Sequence, residues 1–313
     1  MHKQLGDIQL TLTPQAGEAI WRFRLDASRL PSFARGIQDE GGQLLALWGS
    51  DDRHLGGGFA VHAAFLASVG LIWSTSALEA EDPAYPDLAA LFPQAGRMQR
   101  AAYDLLGLRA VGAEDTRKWL RHNAWGADEF PLRRDFSAAR GASPQDAYPF
   151  IRVAGDGVHE IPVGPIHAGT IEPGHFRFSV IGERILKLDR LELDMATGRS
   201  GDVLARVEVR FAEVASSLGL IRQILTRLPA GELRAAVPSP GAPWEGLGWV
   251  EGWRGPVLVA LRLGADGRLD YVHPHDPSWQ NWPLLELAVQ GNIVPDFPLI
   301  NKYFNLSYAG QDL

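Results

Sequence analysis

Two short stretches of this 313-residue chain carry side chains whose types and spacing suit metal or proton chemistry. In His273-Pro274-His275-Asp276, two imidazoles and a carboxylate fall close together. On a strand the two histidines would share a face, which suits a metal ion. The proline and the loop context argue instead for a turn beyond a hairpin, and short histidine motifs often match by chance. His167, Glu172 and His175 lie among Pro162, Pro165 and Pro173, and three titratable groups so close could pass protons. A surface loop with ordinary hydrogen bonds explains them equally simply. Gly56-Gly57-Gly58 lacks the lysine and hydroxyl of a phosphate cradle, and no GxGxxG follows a strand. Ser278 and Ser307 have no His or Asp partner at motif spacing, although a triad is a spatial arrangement.

The composition removes whole classes of chemistry. There is no cysteine, so disulfides, zinc–thiolate sites, iron–sulfur clusters and thiol nucleophiles are all excluded. A chain without disulfides fits the cytoplasm. The net charge is −7, with no basic run, which argues against nucleic acid and against direct attraction to anionic lipid. The start, Met1-His2-Lys3-Gln4-Leu5-Gly6-Asp7, does not read as a signal peptide. The longest mostly apolar stretch, Phe59 to Trp73, is shorter than the roughly 20 residues a membrane span needs. Membrane contact is therefore expected only through partners. At 46% apolar and 21% charged, the chain can fill one large or two medium domains.

The elements that must position these residues follow from periodicity. Residues 8–13 and 20–25 alternate as half-buried strands do. Residues 44–48 are a short apolar run. The Phe59 to Val69 segment carries apolar residues at helical spacing, and 71–79 returns to strand character. Residues 95–107 predict a short helix stopped by Gly107. Residues 109–150 carry few periodic signals, and Gly141-Ala142-Ser143-Pro144 is the best linker. Val203, Val207, Phe211, Val214, Leu218, Ile221, Leu225 and Leu228 recur in steps of three and four, which predicts one long helix over 202–228. Asp202 caps its start, and Pro229 with Gly231 ends it. Such a stripe ordinarily packs on other helices. Residues 232–248 read as a loop. Residues 256–263 and 268–273 flank a turn at Ala265-Asp266-Gly267, which predicts a hairpin. Asn281 to Gln290 suits a helix with Pro283 in its first turn and Gly291 past its end. Trp244, Trp249, Trp253, Trp279 and Trp282 are expected to fill a core or an interface.

The order of motifs carries more information than any single one. Residues 161–183, IPVGPIHAGTIEPGHFRFSVIGE, resemble the opening of the large subunit of formate hydrogenlyase-type [NiFe]-hydrogenases, related to respiratory complex I. Upstream, Trp48-Gly49-Ser50-Asp51-Asp52-Arg53, Asp104-Leu105-Leu106-Gly107 and Pro131-Leu132-Arg133-Arg134-Asp135 are similar to a fused copy of the NADH dehydrogenase (NADH:quinone oxidoreductase) component known as NuoC-type, or C component. Downstream, the 202–228 helix, residues 251–255 (EGWRG) and residues 278–300 (SWQNWPLLELAVQGNIVPDFPLI) resemble the family in the same order. The implied fold is α+β. It has an N-terminal α/β domain over 1–142, similar to that C component. A shortened large-subunit-like α+β domain follows over 143–313, similar to the D component of the same enzyme, with one long amphipathic helix.

The departures from the family bear on function. Where the family reads DPCYSCTDR, with cysteines that hold nickel and iron, this chain has Ser307 and Gly310. A hydroxyl is a hard ligand and glycine offers none. Glu183 and Asp202 stand only 19 positions apart, so most of the family's central helical region, with its other cysteine pair, is missing. The family's ERE reads Gln99-Arg100-Ala101, without either acid. The D component of complex I is similar to a hydrogenase large subunit without nickel, and its cavity takes quinone. By that likeness His167, Glu172, His175 and Arg254 are the residues that would handle a proton or a quinone. The resemblance implies a non-catalytic, degenerate large-subunit-like component, peripheral on the inner face of the cell membrane. It would dock on an iron–sulfur small subunit and on membrane-arm subunits and bind no cofactor itself, with quinone at most at the complex interface. Quinone handling without nickel and a role as an assembly or regulatory mimic are the alternative implications.

Overall fold

The computed structural model describes residues 2–5, 8–11, 20–121, 125–137, 161–168, 171–178, 197–200, 202–227, 231, 241–252 and 254–311. The chain is α+β and divides into two units, Met1–Phe150 and Ile151–Leu313. The expected linker at 141–144 lies outside the described residues.

The first unit opens with an antiparallel hairpin, β1 (His2–Leu5) and β2 (Ile8–Thr11). The alternating 20–25 segment forms β3 (Ile20–Leu25). Helix α1 (Leu30–Asp39) then carries the chain across a four-stranded sheet, burying Leu30, Phe33, Ala34 and Ile37. Strand β4 (Gln43–Asp51) lies at the far edge, and β5 (Phe59–Ala67) and β6 (Gly70–Leu78) meander back. The order is β3-β6-β5-β4, with only the β3–β6 pair parallel. Short strands β7 (Ala84–Pro86) and β8 (Arg109–Val111) pair on either side of α2 (Ala95–Leu106).

The Phe59–Val69 segment is thus a strand and not a helix. It is a central strand buried on both faces: Phe65 meets Phe33 and Phe92 on one side, and His62 stacks on Trp48 on the other. A strand covered on both faces loses the apolar–polar alternation that reveals strands, and its apolar run then resembles a helix. His62 is buried but paired, to Ser50 Oγ at 2.9 Å and Thr75 Oγ1 at 3.0 Å.

Three motifs far apart in sequence are tied together here. Asp51, buried at the end of β4, accepts from Arg53 Nε at 2.9 Å and Nη2 at 2.7 Å. It also accepts from the backbone N–H of Arg134 at 3.0 Å, 83 positions away. The same Arg53 grips Asp135 through two bonds, at 2.9 and 3.0 Å. Arg133 donates to the Leu106 carbonyl at 2.7 Å and lies over the Phe59 and Phe130 rings. Gly107 ends α2 at φ +77°, and a Cβ there would stand 2.5 Å from Arg133 Nη2. Glycine at this position thus meets both a left-handed turn and a close approach. Asp104, also buried, accepts the backbone N–H groups of Trp119, Leu120 and Arg121.

The changed acids at Gln99 also have a structural account. Gln99 is buried, accepts from the Leu88 N–H at 2.8 Å and donates to Asp87 Oδ1 at 2.6 Å. A carboxylate at 99 would face that of Asp87 with no proton to share.

The second unit begins with the antiparallel pair β9 (Ile161–Ala168) and β10 (Ile171–Phe178). Helix α3 (Val203–Arg227) follows, and Asp202 Oδ1 accepts the Ala205 N–H at 2.8 Å as an N-cap does. A three-stranded meander comes next, β11 (Trp244–Gly252), β12 (Gly255–Leu263) and β13 (Leu269–His275). Residues 244–248 therefore belong to a strand and not to the expected loop. Glycines 246 and 248 lend that stretch a loop-like composition, whereas pairing with β12 decides its conformation. Helix α4 (Ser278–Ala288) starts three residues before the expected Asn281, so Pro283 sits inside the helix rather than in its first turn. Helix α5 (Phe297–Phe304) closes a small core of Trp282, Leu285, Ala288, Phe297, Ile300 and Leu306.

Carboxylate Asp51 is destabilised by burial, but the Arg53 and Arg134 bonds outweigh that and hold its pKa at about 2. Its folded pKa lies below the unfolded value, so it contributes stability above about pH 4 that is lost as pH falls toward 2. Asp51→Ala should cost about 3–5 kcal/mol at neutral pH by leaving Arg53 half-paired. Chemical denaturation of the variant, followed by tryptophan fluorescence, checks this.

Candidate functional site

The site that the sequence points to is the corner where Arg254, Ser307 and Gly310 meet. Its geometry starts at the end of α5. Asn305 takes a left-handed conformation, φ 48°, and turns the chain back over α4. Asparagine tolerates this better than most residues. Leu306 then buries itself in the small core, and the Ser307 carbonyl accepts from Trp282 Nε1 at 2.9 Å. The Ser307 N–H donates to Ser278 Oγ at 3.0 Å, and Ser278 is fully buried. The Ser278 N–H donates to Asp276 Oδ1 at 2.7 Å. The Ser307 hydroxyl accepts the Gly310 N–H at 3.0 Å. Arg254 reaches in just ahead of β12: Nη1 lies 3.8 Å from Asp276 Oδ2, and Nε donates to the Asn305 carbonyl. Its own carbonyl accepts from Asn281 Nδ2 at 2.8 Å.

Three of the residues singled out in the sequence, Arg254, Ser307 and Gly310, therefore share one place. Asp276, Ser278, Asn281 and Trp282 complete it, and no motif or spacing marks them for a role there. Ser278 and Ser307, unpartnered at motif spacing, are joined to each other across 29 positions. The nickel–iron centre of the resembling family does not fit. Position 307 offers a hydroxyl already used locally, and position 310 offers no side chain. A Cβ at 310 would lie 2.8 Å from Asp276 Cγ.

The other sequence-derived residues lie elsewhere. His167 is on β9, and Glu172 and His175 are on β10, so a strand pair replaces the expected surface loop. Register shifts between Ile171 and Gly174 and between Gly174 and Phe176 accommodate the prolines there. The side chains of these three residues lie outside the described residues. His273-Pro274-His275 ends β13 instead of forming a turn. Strand β13 is an edge strand, where a proline is tolerated. No group of three or more His, Asp or Glu side chains is placed to hold a metal among the described residues. His275 is buried, and burial lowers its pKa to about 4 against the opposing Gln280 hydrogen bond and Asp276 charge.

Helix α3 departs from the expected packing. The stripe forms, but it faces outward: Phe211 is 75% exposed and Leu225 66%, with Leu218 and Ile221 about half exposed. The half-buried positions Val209, Ser216 and Leu220 lie on the opposite side of the helix. Near its start α3 meets α5, where Arg210 lies over the Tyr303 ring and donates to the Tyr303 carbonyl. Val207, Phe211 and Val214 of α3 form a groove of about 300 Å³ with Leu299, Ile300 and Tyr303 of α5.

Comparison with known proteins agrees with the order of motifs. Residues 23–141 match the family model of the respiratory-chain NADH dehydrogenase 30 kDa subunit, and residues 186–245 match that of the 49 kDa subunit. Formate hydrogenlyase subunit 5 of Escherichia coli K12 is 37% identical over 158 residues, covering 48% of this chain and 28% of that protein. Hydrogenase-4 component G of the same organism is 34% identical, covering 47% of this chain and 28% of the relative. The carbon monoxide-induced hydrogenase of Rhodospirillum rubrum is 35% identical over 112 residues, covering 36% of this chain and 31% of the relative. The chain thus matches under a third of the length of each of these relatives. It is related to the hydrogenase large subunits of the complex I-related type and carries a 30 kDa-type region followed by a 49 kDa-type region.

The buried His275 leaves a pH signature. Its folded pKa lies below the unfolded value, so stability is complete above about pH 6.5 and falls as pH drops toward 4. By pH 5 the loss is about 2 kcal/mol. Thermal melts of the wild type and of His275→Gln between pH 7.5 and 5 should diverge by that amount, with the shallower slope in the variant.

Proposed function

We propose that this chain is a non-catalytic, large-subunit-like docking component of a membrane-bound hydrogenase- or complex I-type assembly. The observation that carries this reading is the exposed stripe on α3. Burying a large apolar side chain is worth about 1.5–3 kcal/mol, and monomeric proteins rarely leave a long contiguous patch in water. Phe211, Val214, Leu218, Ile221 and Leu225 follow the helical period, so the surface suits an apolar helical face of a partner subunit. Between residues 215 and 227 the sequence has Arg222 and Arg227 and no acid, which favours acidic residues beside that face. The partners are an iron–sulfur small subunit and membrane-arm subunits, with the chain on the inner, cytoplasmic face. No described helix is long and apolar enough to cross a membrane, in keeping with contact through partners. Quinone handling has less support, because Arg254 is already engaged by Asp276 and Asn305.

The reading is tested by affinity purification from solubilised membranes. Wild-type chain should recover membrane-arm and iron–sulfur subunits in stoichiometric amounts. Phe211→Asp and Leu218→Asp, both at exposed positions, should lower recovery at least about tenfold without altering the circular dichroism spectrum. Quinone-dependent turnover that falls on His167→Ala or Arg254→Ala would replace this reading with an enzymatic one. Recovery of maturation factors alone would support the assembly mimic instead, and stoichiometric nickel would contradict all three.

A further inference from the structure

The packing around Gly310 has a consequence that does not depend on the docking role. Gly310 is not among the glycines with positive φ, so its backbone does not require glycine. Space requires it. A Cβ at 310 would meet Asp276 Cγ at 2.8 Å, Ser307 Cβ at 2.9 Å and Asp276 Cβ at 3.0 Å. These atoms lie close to their own backbones and cannot swing away as a long side-chain tip would. Asp276 is pinned further by the Ser278 N–H, and Ser307 by its bonds to Ser278, Trp282 and Gly310.

We propose that Asp276, Ser278, Ser307 and Gly310 form a metal-free clasp. It fastens the segment after α5 to the start of α4, and it fills the space that a second thiolate would need. The fastening chain is continuous: Asp276 holds the first turn of α4, Ser278 holds the Ser307 backbone, and Ser307 holds Gly310. Arg254 joins from the β12 side through Asp276 and the Asn305 carbonyl. Three elements that a bound ion could draw together are drawn together by hydrogen bonds alone. The corner is thus closed as well as short of ligands, and restoring the two cysteines does not reopen it.

Substitutions in the full chain test the clasp. Gly310→Ala should lower the melting temperature by about 4 °C or more, as overpacking does. An ordinary turn glycine with negative φ would give the opposite sign, since alanine restricts the unfolded chain. Asp276→Ala should cost less in the Gly310→Ala background than in the wild type, because the two groups compete for one space. Ser307→Ala, too small a change to unfold the unit, should speed amide exchange at Gly310 about tenfold. Ser307→Cys with Gly310→Cys, incubated with Ni²⁺ or Zn²⁺ beside the wild type, should show no metal-dependent rise in melting temperature. An unchanged or higher melting temperature for Gly310→Ala, strict additivity with Asp276→Ala, unaltered exchange at Gly310, or metal stabilisation of the double cysteine variant would each overturn the clasp.

Discussion

The chain contains no thiol, so segments distant in sequence are held by carboxylates, hydroxyls and packing. Three aspartates meet this constraint in the same way. Asp51 takes the Arg134 N–H and the Arg53 guanidinium, Asp104 takes three successive N–H groups of residues 119–121, and Asp276 takes the Ser278 N–H. A carboxylate accepts several bonds at once, and each charge-assisted bond is about twice as strong as a neutral one. Such ties fix irregular segments that neither helix nor sheet hydrogen bonds would hold. In the first unit they explain why the Trp48–Arg53, Asp104–Gly107 and Pro131–Asp135 motifs occur together: each supplies part of one connected network.

What is legible in the sequence depends on how local its cause is. Helix α2 is legible because Gly107 stops it within the same turn. The β12–β13 hairpin is legible because Gly264 through Arg268 close it locally, with the Gly264 N–H bonded to the Arg268 carbonyl at 2.8 Å. Strand β5 mimics a helix because burial on both faces is a property of the assembled sheet, not of the segment. Helix α3 is legible in its extent but not in its orientation. Periodicity locates an apolar face, but it does not say whether the same chain covers it. In the corner, the resemblance picks out Arg254, Ser307 and Gly310. Asp276 escapes it because its part there rests on filling space beside a residue 34 positions away, which no spacing rule encodes.

The substituted positions share a physical character. Loss of a ligand by itself leaves a cavity or an unpaired donor, both of which destabilise. Neither is found where this chain departs from its relatives among the described residues. Gln99 bridges the Leu88 N–H and Asp87, and Ser307 bridges Ser278 and Gly310. Each substitution is matched by a neighbour that uses the new group. The former metal corner is therefore a finished piece of structure with its own packing requirement.

This bears on where interaction energy remains to be gained. In the corner the polar groups are paired with one another and the space is filled, so it offers little to a ligand. Along α3 the balance is reversed: large apolar side chains stand in water while small and polar ones occupy the half-buried side. The free energy still to be gained in the second unit thus lies on a surface and not in a cavity. A surface with helical period and basic flanks gains most from an elongated partner, because each added turn of contact adds apolar burial while the orientational cost of association is met once. A small molecule in the α3–α5 groove would cover only the first part of that stripe and leave Leu218, Ile221 and Leu225 exposed.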